Sequence, residues 1–296
     1  MNYQTIFITG AASGIGRALA LALSEPGRHL YLADCNATGL EATRASCHER
    51  GATARTTCLD VTDRQAMTEW CAEGPDRAID LLLVCAGVTG GVDALDEEGA
   101  AFETPSQIRR MMAVNLEGAF NAILPVMTRM RRQPLVRTGR LRSQRGQICA
   151  IASVAGLVSY PGTPSYSASK AALDRFLVAS GAYSRRAGIH LSSVCCSFVA
   201  TPMVAQNRFP MPGLMSVENA TAHILRGLAR RKRRIIFPNW LVLGSRFMDI
   251  LPIQLAELYY TRQPTGRPGS MPGIENPACK DVSGAATDTD AAALTV

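Results

Sequence analysis

Strand-length apolar runs alternate along this chain with segments of helix length, and that alternation narrows the fold more than any single motif. Thr5-Ile-Phe-Ile-Thr9, His29-Leu-Tyr-Leu-Ala33, Thr53 to Leu59 and Ile79-Asp-Leu-Leu-Leu-Val84 read as strands. Helices are predicted between them, from Gly14 to Ser24, Thr38 to Arg50 and Asp63 to Ala72. A strand with one wet face alternates polar and apolar residues. A strand without alternation is covered on both faces, as when crossover helices join parallel neighbours. The pattern continues with helices Ser106 to Met130, Pro164 to Arg186 and Val217 to Arg230. The strands Gln147 to Ala152, His190 to Cys195 and Ile235 to Phe237 accompany them. The expectation is an α/β protein with a doubly wound parallel sheet, one domain over residues 1–238.

Two stretches exceed this plan. Gln133 to Arg145 is an arginine-rich excursion where two to six residues usually suffice. Residues 239–261 form an apolar helical extension, and 262–296, rich in Pro, Gly, Ser, Thr, Ala and Asp, read as a disordered tail.

The formal charge of +7 is local. Arg129, Arg131, Arg132, Arg137, Arg140, Arg142 and Arg145 form one cluster; Arg226, Arg230, Arg231, Lys232, Arg233 and Arg234 form another. The remaining 18 basic residues face 24 acidic ones, which argues against a general nucleic-acid binder. Nine cysteines without a C-x-x-C spacing, and four scattered histidines, suggest neither a disulfide scaffold nor a metal site. Met1 leads straight into a strand without a signal-peptide pattern, so a cytoplasmic location is expected. The apolar stretch from Ile235 to Ser245 is 11 residues, short of the ~20 that span a bilayer.

Thr9-Gly10-Ala11-Ala12-Ser13-Gly14-Ile15-Gly16 lies between the first strand and the first helix. Glycines there permit a sharp turn and close approach to a pyrophosphate, while the helix N-terminus offers N–H groups to it. Asp34 ends the second strand, where a carboxylate can accept from both adenosine ribose hydroxyls. Asp60 and Val61 end the third, placed for the adenine edge. The pattern points to a dinucleotide. Asp34 would repel a 2′-phosphate, so NAD is preferred over NADP.

Tyr166-Ser-Ala-Ser-Lys170 puts a phenol and an ammonium one turn apart on a single helix face. A nearby cation is expected to lower the phenol pKa, so that the tyrosine exchanges a proton with an alcohol or carbonyl oxygen near neutral pH. The chain has only three lysines, Lys170, Lys232 and Lys280, so a lysine at this position is chosen over the more abundant arginine. Ser153 ends the fifth strand, 13 residues before Tyr166, with a hydroxyl suited to the same substrate oxygen.

The set Thr9-Gly-x₃-Gly-x-Gly16, Asp60-Val61, Ala86-Gly87, Asn115 in Val-Asn-Leu, Ser153 and Tyr166-x₃-Lys170 resembles the classical short-chain dehydrogenase/reductase family over about residues 4–237. The resemblance implies a Rossmann-like fold, metal-free hydride transfer between a nicotinamide cofactor and a secondary alcohol or ketone, and a homodimer or homotetramer. It implies catalytic roles for Ser153, Tyr166, Lys170 and Asn115. Gly10, Ser13, Gly14, Ile15, Gly16, Asp34, Asp60, Val61, Ala86, Gly87, Tyr166, Lys170, Val199 and Thr201 would bind the cofactor. Lys170 would hold the nicotinamide ribose, Asn115 would kink its helix and hold a water in a proton relay, and Thr201 would hold the carboxamide.

Two departures stand out. Cys85 occupies the place of an asparagine before Ala86-Gly87, which puts the anchoring of that loop in doubt. Cys196-Ser197 replaces a Pro-Gly pair, and the Ser197 side chain is expected to weaken cofactor binding somewhat.

The apolar segment from Asn239 to Tyr260 has two readings: a helix closing the substrate pocket or an interface, or, with the preceding cations, a peripheral membrane contact. It favours a hydrophobic substrate. The alternative function is a nucleotide-binding protein of weak catalytic power, tethered to a membrane or partner.

Overall fold

The computed structural model describes residues 3–255, apart from 75, 91–93, 96–100, 138–142, 160–161, 206–210, 241–242, 245–249 and 253. The tail 262–296, much of the 239–261 extension, and Arg140 and Arg142 lie outside the described residues.

In chain order the elements are β1 (Thr5–Thr9), α1 (Gly14–Ala22), β2 (His29–Asp34), α2 (Ala37–Glu49), β3 (Thr53–Cys58), α3 (Arg64–Ala72) and β4 (Leu81–Val84). A small ribbon, β5 (Ala94–Leu95) and β6 (Ala101–Phe102), precedes α4 (Pro105–Met112) and α5 (Gly118–Arg132). A second ribbon, β7 (Val136–Arg137) and β8 (Ser143–Gln144), leads to β9 (Gly146–Ile151). Then come α6 (Pro164–Arg186), β10 (Ile189–Cys196), α7 (Val217–Ala229) and β11 (Arg234–Phe237).

The seven long strands form one parallel sheet in the order β11-β10-β9-β4-β1-β2-β3. Alternate side chains serve two cores, because successive residues of a strand point to opposite faces. Ile6, Ile8, Leu81 and Leu83 pack with Leu19, Leu40 and Ile224 beneath α1, α2 and α7. Phe7, Leu82 and Val84 pack with Trp70, Ile123 and Leu173 beneath α3, α5 and α6. This two-sided covering is why those strands read as unbroken apolar runs.

From β1 the chain runs outward to β2 and β3, then returns to place β4 on the other side of β1. Open α/β sheets bind ligands at such a reversal, beyond the carboxyl ends of the strands. Here the reversal brings Gly10 against Cys85 and Ala86: a Cβ on Gly10, whose φ is +68°, would lie 2.6 Å from the Ala86 nitrogen.

The long helix expected from Ser106 to Met130 is two helices joined by a widened turn at Ala113–Glu117, with Asn115 in it. The arginine-rich excursion forms the β7–β8 ribbon.

The basic clusters have internal work to do. Arg129 donates to the carbonyls of Cys71, Glu73 and Arg77. Arg145 binds the carbonyls of Gln133 and Ala187, and Arg233 that of Val178. Arg231 reaches Gln144 at 2.6 Å, which joins the two clusters. They meet at the amino ends of β9 and β11, whereas residues after Phe237 leave from the carboxyl end. The cations therefore lie at the amino end of the sheet, away from the point where the chain leaves β11 at Phe237. Among the described residues no helix is long and apolar enough to cross a membrane.

Candidate active site

The glycine turn crosses from β1 to α1 with Gly10 and Gly14 at positive φ, +68° and +52°, which L side chains rarely adopt. A Cβ on Gly16 would fall 2.0 Å from the Gly10 carbonyl oxygen, so that position requires glycine. Ser13 is exposed at the N-cap of α1 and its side chain makes no capping bond. Half-buried Ile15 packs against the core below. Asp34, at the end of β2, accepts from Ala12 N at 2.9 Å and from Asn36 N at 3.0 Å, which fixes its carboxylate beside the turn. The carboxylate of Asp60 is exposed, with Oδ1 occupied by Thr62 N and Oγ1 at 2.8 Å. Val61 is buried, and its carbonyl accepts from Asn121.

Across the crevice, Thr201 faces the glycine turn, since a Cβ on Gly14 would lie 3.3 Å from its methyl group. Val199 is buried and bridges to Met215. Ser197 N donates to the Phe237 carbonyl at 3.1 Å, so the backbone after β10 stays tied to the sheet despite the missing Pro-Gly pair.

The loop that carries Cys85, Ala86 and Gly87 is anchored without an asparagine. Thr9 Oγ1 accepts from Cys85 N at 3.2 Å and Ala86 N at 3.3 Å. The Asn115 amide completes the hold, accepting from Val88 N at 2.8 Å and donating to Val88 O at 3.0 Å. Asn115 Nδ2 also lies 3.2 Å from Ser169 Oγ on α6. The role of Thr9 was missed from sequence, although a hydroxyl at the strand end immediately before Gly10 was a usable signal.

Ser153, Tyr166 and Lys170 come together at the carboxyl end of β9. Ser153 Oγ accepts from Ala155 N at 3.1 Å and lies 3.5 Å from the Cys196 carbonyl, near enough to Tyr166 for its hydroxyl to favour the phenolate. Lys170 is buried; its Nζ donates to Ile151 O at 2.8 Å and stands 5.8 Å from the Tyr166 ring centre.

The electrostatics correct one expectation. Burial pushes the Tyr166 phenol up to about 12, against the opposing pull of the Ser153 hydroxyl. Burial also brings the Lys170 ammonium down to about 8, while the thiols of Cys196 and Cys85 oppose that shift. In the protein alone the phenol is therefore not made acidic by the lysine: desolvation of a would-be phenolate outweighs a cation already committed to a carbonyl. Burial likewise raises Cys85 to about 12 and Cys196 to about 11, so both are protonated, weakly nucleophilic thiols.

The crevice fits a dinucleotide on its own terms. It offers a glycine cradle that Cβ atoms would fill, a fixed carboxylate at the end of β2, and a buried ammonium near Gly87, whose Cβ would lie 3.3 Å from Lys170 Nζ. Beyond Thr201 lies an apolar cavity of about 520 Å³, lined also by Pro202, Val204, Ala205, Met211 and Leu214.

Residues 4–211 match the family described as short chain dehydrogenase. An uncharacterized oxidoreductase of Myxococcus xanthus is 30% identical over 254 residues, which cover 85% of this chain and 94% of that protein. Estradiol 17-beta-dehydrogenase 11 of Mus musculus is 27% identical over 257 residues, 84% of this chain and 80% of that one. The structure of a short-chain dehydrogenase from Sphingobium yanoikuyae in complex with NADPH superposes with a TM-score of 0.68 at 24% identity, over 84% of this chain and 96% of that chain. The chain belongs to the short-chain dehydrogenase family, oxidoreductases that act on CH–OH groups.

Proposed function

We propose that the protein interconverts a hydrophobic secondary alcohol and its ketone, with NAD as the preferred cofactor. The observation that carries this reading is the meeting of the Tyr166 and Ser153 hydroxyls beside the buried Lys170, at the rim of the crevice. The bound nicotinamide supplies the hydride acceptor or donor. In the chain itself, Ser153 Oγ holds the substrate oxygen by hydrogen bonding and Tyr166 exchanges the proton on that oxygen. The raised phenol pKa keeps Tyr166 in the acid form that carbonyl reduction requires. Lys170 supplies positive charge beside the phenol and a donor to a ribose hydroxyl. Asn115 holds the loop at Val88 and supports a proton path past Ser169.

The cofactor is held at the glycine turn, with Asp34 taking the adenosine ribose hydroxyls. Its charge disfavours a 2′-phosphate, so NAD is used better than NADP. The mouse relative's name specifies a steroid, and the Sphingobium protein was complexed with NADPH. The apolar cavity beyond Thr201 supports the hydrophobic substrate.

The extension fits the lid reading better than the membrane reading. Support for this comes from Gly213, between Met211 and Leu214 of the cavity lining: a Cβ there would lie 3.0 Å from Pro238 and 3.4 Å from Trp240. A homodimer or homotetramer through α5 and α6 suits the exposed Leu124 and Tyr183 on those helices.

The test is NAD and NADP reduction across a panel of secondary alcohols, from polyols to steroids, with Tyr166→Phe as control. Turnover with an apolar alcohol and NAD, abolished in the variant, is the expected result. Nucleotide binding without turnover on any class would favour a tethered, catalytically weak protein instead.

A further inference from the structure

Helix α6 carries both Tyr166 and Lys170, and its first turn is not capped by its own sequence. Thr163, at the N-cap, makes no side-chain capping bond, and Pro164 has no N–H to offer. The first N–H in need of an acceptor is that of Ser165. It is met from 62 residues away: Ser165 N donates to Glu103 Oε2 at 2.9 Å, and Ser165 Oγ donates to Glu103 Oε1 at 2.9 Å. Ser165 is 4% exposed and Glu103 half-buried, so this two-point contact is partly shielded from water.

One turn further on, α6 is gripped again from the same side. Asn115 Nδ2 reaches Ser169 Oγ at 3.2 Å, and Ser169 Oγ donates to the Tyr166 carbonyl at 2.8 Å. Tyr166 thus sits between two clasps, Glu103–Ser165 and Asn115–Ser169, both supplied by the segment that runs from β6 through α4 to the widened turn. The neighbouring Thr104 caps α4 through a reciprocal bond with Gln107, which ties Glu103 to a helix start that is itself held.

We propose that Glu103 is a positioning residue for the reaction: its carboxylate clamps the first turn of α6 and so sets where the Tyr166 hydroxyl stands relative to Ser153. The proposal rests on the reading of Tyr166 as the proton-exchanging group. Charge is not the essential element. An amide has the same shape, with an oxygen to accept from Ser165 N and an NH₂ to donate to Ser165 Oγ, so glutamine preserves the clasp and alanine abolishes it.

The experiment compares Glu103→Ala, Glu103→Gln and Ser165→Ala in the full chain with a turned-over alcohol. It reads kcat, the dissociation constant of NAD, and amide exchange over residues 165–167. A misplacement near 1 Å at a reacting group costs about 10²-fold at most, so Glu103→Ala is expected to lose about 10- to 100-fold in kcat. NAD affinity stays within about threefold, because Asp34 and the glycine turn are untouched, and Glu103→Gln keeps kcat within about threefold of the native value. Exchange at 165–167 quickens most in Glu103→Ala, less in Ser165→Ala, and stays at the native rate in Glu103→Gln.

An unchanged kcat in Glu103→Ala, or a glutamine variant as poor as the alanine one, overturns the proposal. So does a loss of NAD affinity in step with kcat, which marks general loosening. Should Glu103→Ala not fold, Ser165→Ala decides, since it removes one of the two bonds: an unchanged kcat there overturns the proposal as well. Retained turnover in Tyr166→Phe defeats the tyrosine reading separately, while the exchange measurement still reports on the clasp.

Discussion

Lys170 stands 5.8 Å from the centre of the Tyr166 ring, yet spends its hydrogen bond on the Ile151 carbonyl rather than on the phenol. The buried ammonium is costly to the folded protein, because its pKa falls from 10.5 to about 8. The unfolded chain binds this proton more readily between those values, so the penalty is fully present below pH 8 and fades as pH rises toward 10.5. At about 1.4 kcal/mol per unit the penalty is about 3 kcal/mol, and the lost bond to Ile151 returns about 1 kcal/mol of it. Lys170→Met is therefore expected to be more stable by about 2 kcal/mol at pH 7 while losing turnover. Urea unfolding at pH 7 and pH 10.5 checks this: the gain should vanish at the higher pH.

Loop anchoring by Thr9 gives a second expectation. Thr9→Val keeps the shape of a fully buried side chain but leaves Ala86 N without its acceptor. An unsatisfied buried donor costs about 1–3 kcal/mol, and the displaced loop weakens NAD binding. Calorimetric titration with NAD, alongside denaturant melts, measures both; unchanged values would mean that Thr9 does not hold the loop.

Asn115→Leu removes the reciprocal pair with the Val88 backbone and the contact to Ser169. Stability should fall by about 1–2 kcal/mol, because two half-buried backbone groups lose their partners. Its kcat should fall more than its NAD affinity, since α6 loses one of its two clasps. Equal losses in both would assign Asn115 to the loop alone.

Asp34→Ala tests cofactor choice. The native enzyme is expected to show a much lower KM for NAD than for NADP. The variant should narrow the gap by raising KM for NAD and relieving repulsion of the 2′-phosphate. Equal KM values in the native enzyme would contradict the assignment of Asp34.

Much of this was legible in the chain, and the exceptions share a cause. Covered strands such as Leu81–Val84 announce themselves because burial on both faces removes polar alternation. Tyr166 and Lys170 were legible because helix periodicity alone places them on one face. The irregular turn at Asn115 followed only from the resemblance, because one extra residue per turn leaves no periodic trace. The clasp of Ser165 by Glu103 was not legible, being a contact made across 62 residues by the fold. The pKa of Tyr166 moved opposite to expectation, because spacing reveals the neighbouring charge but not the loss of water around the phenol.

The account depends most on the Tyr166 hydroxyl, and the direct measurement is kcat for Tyr166→Phe with an alcohol that the native enzyme oxidises, at saturating NAD. General acid–base groups contribute about 10²–10⁴-fold, so a loss of at least about 10²-fold with unchanged NAD affinity is predicted. A variant that keeps kcat within about tenfold of native would contradict the assignment.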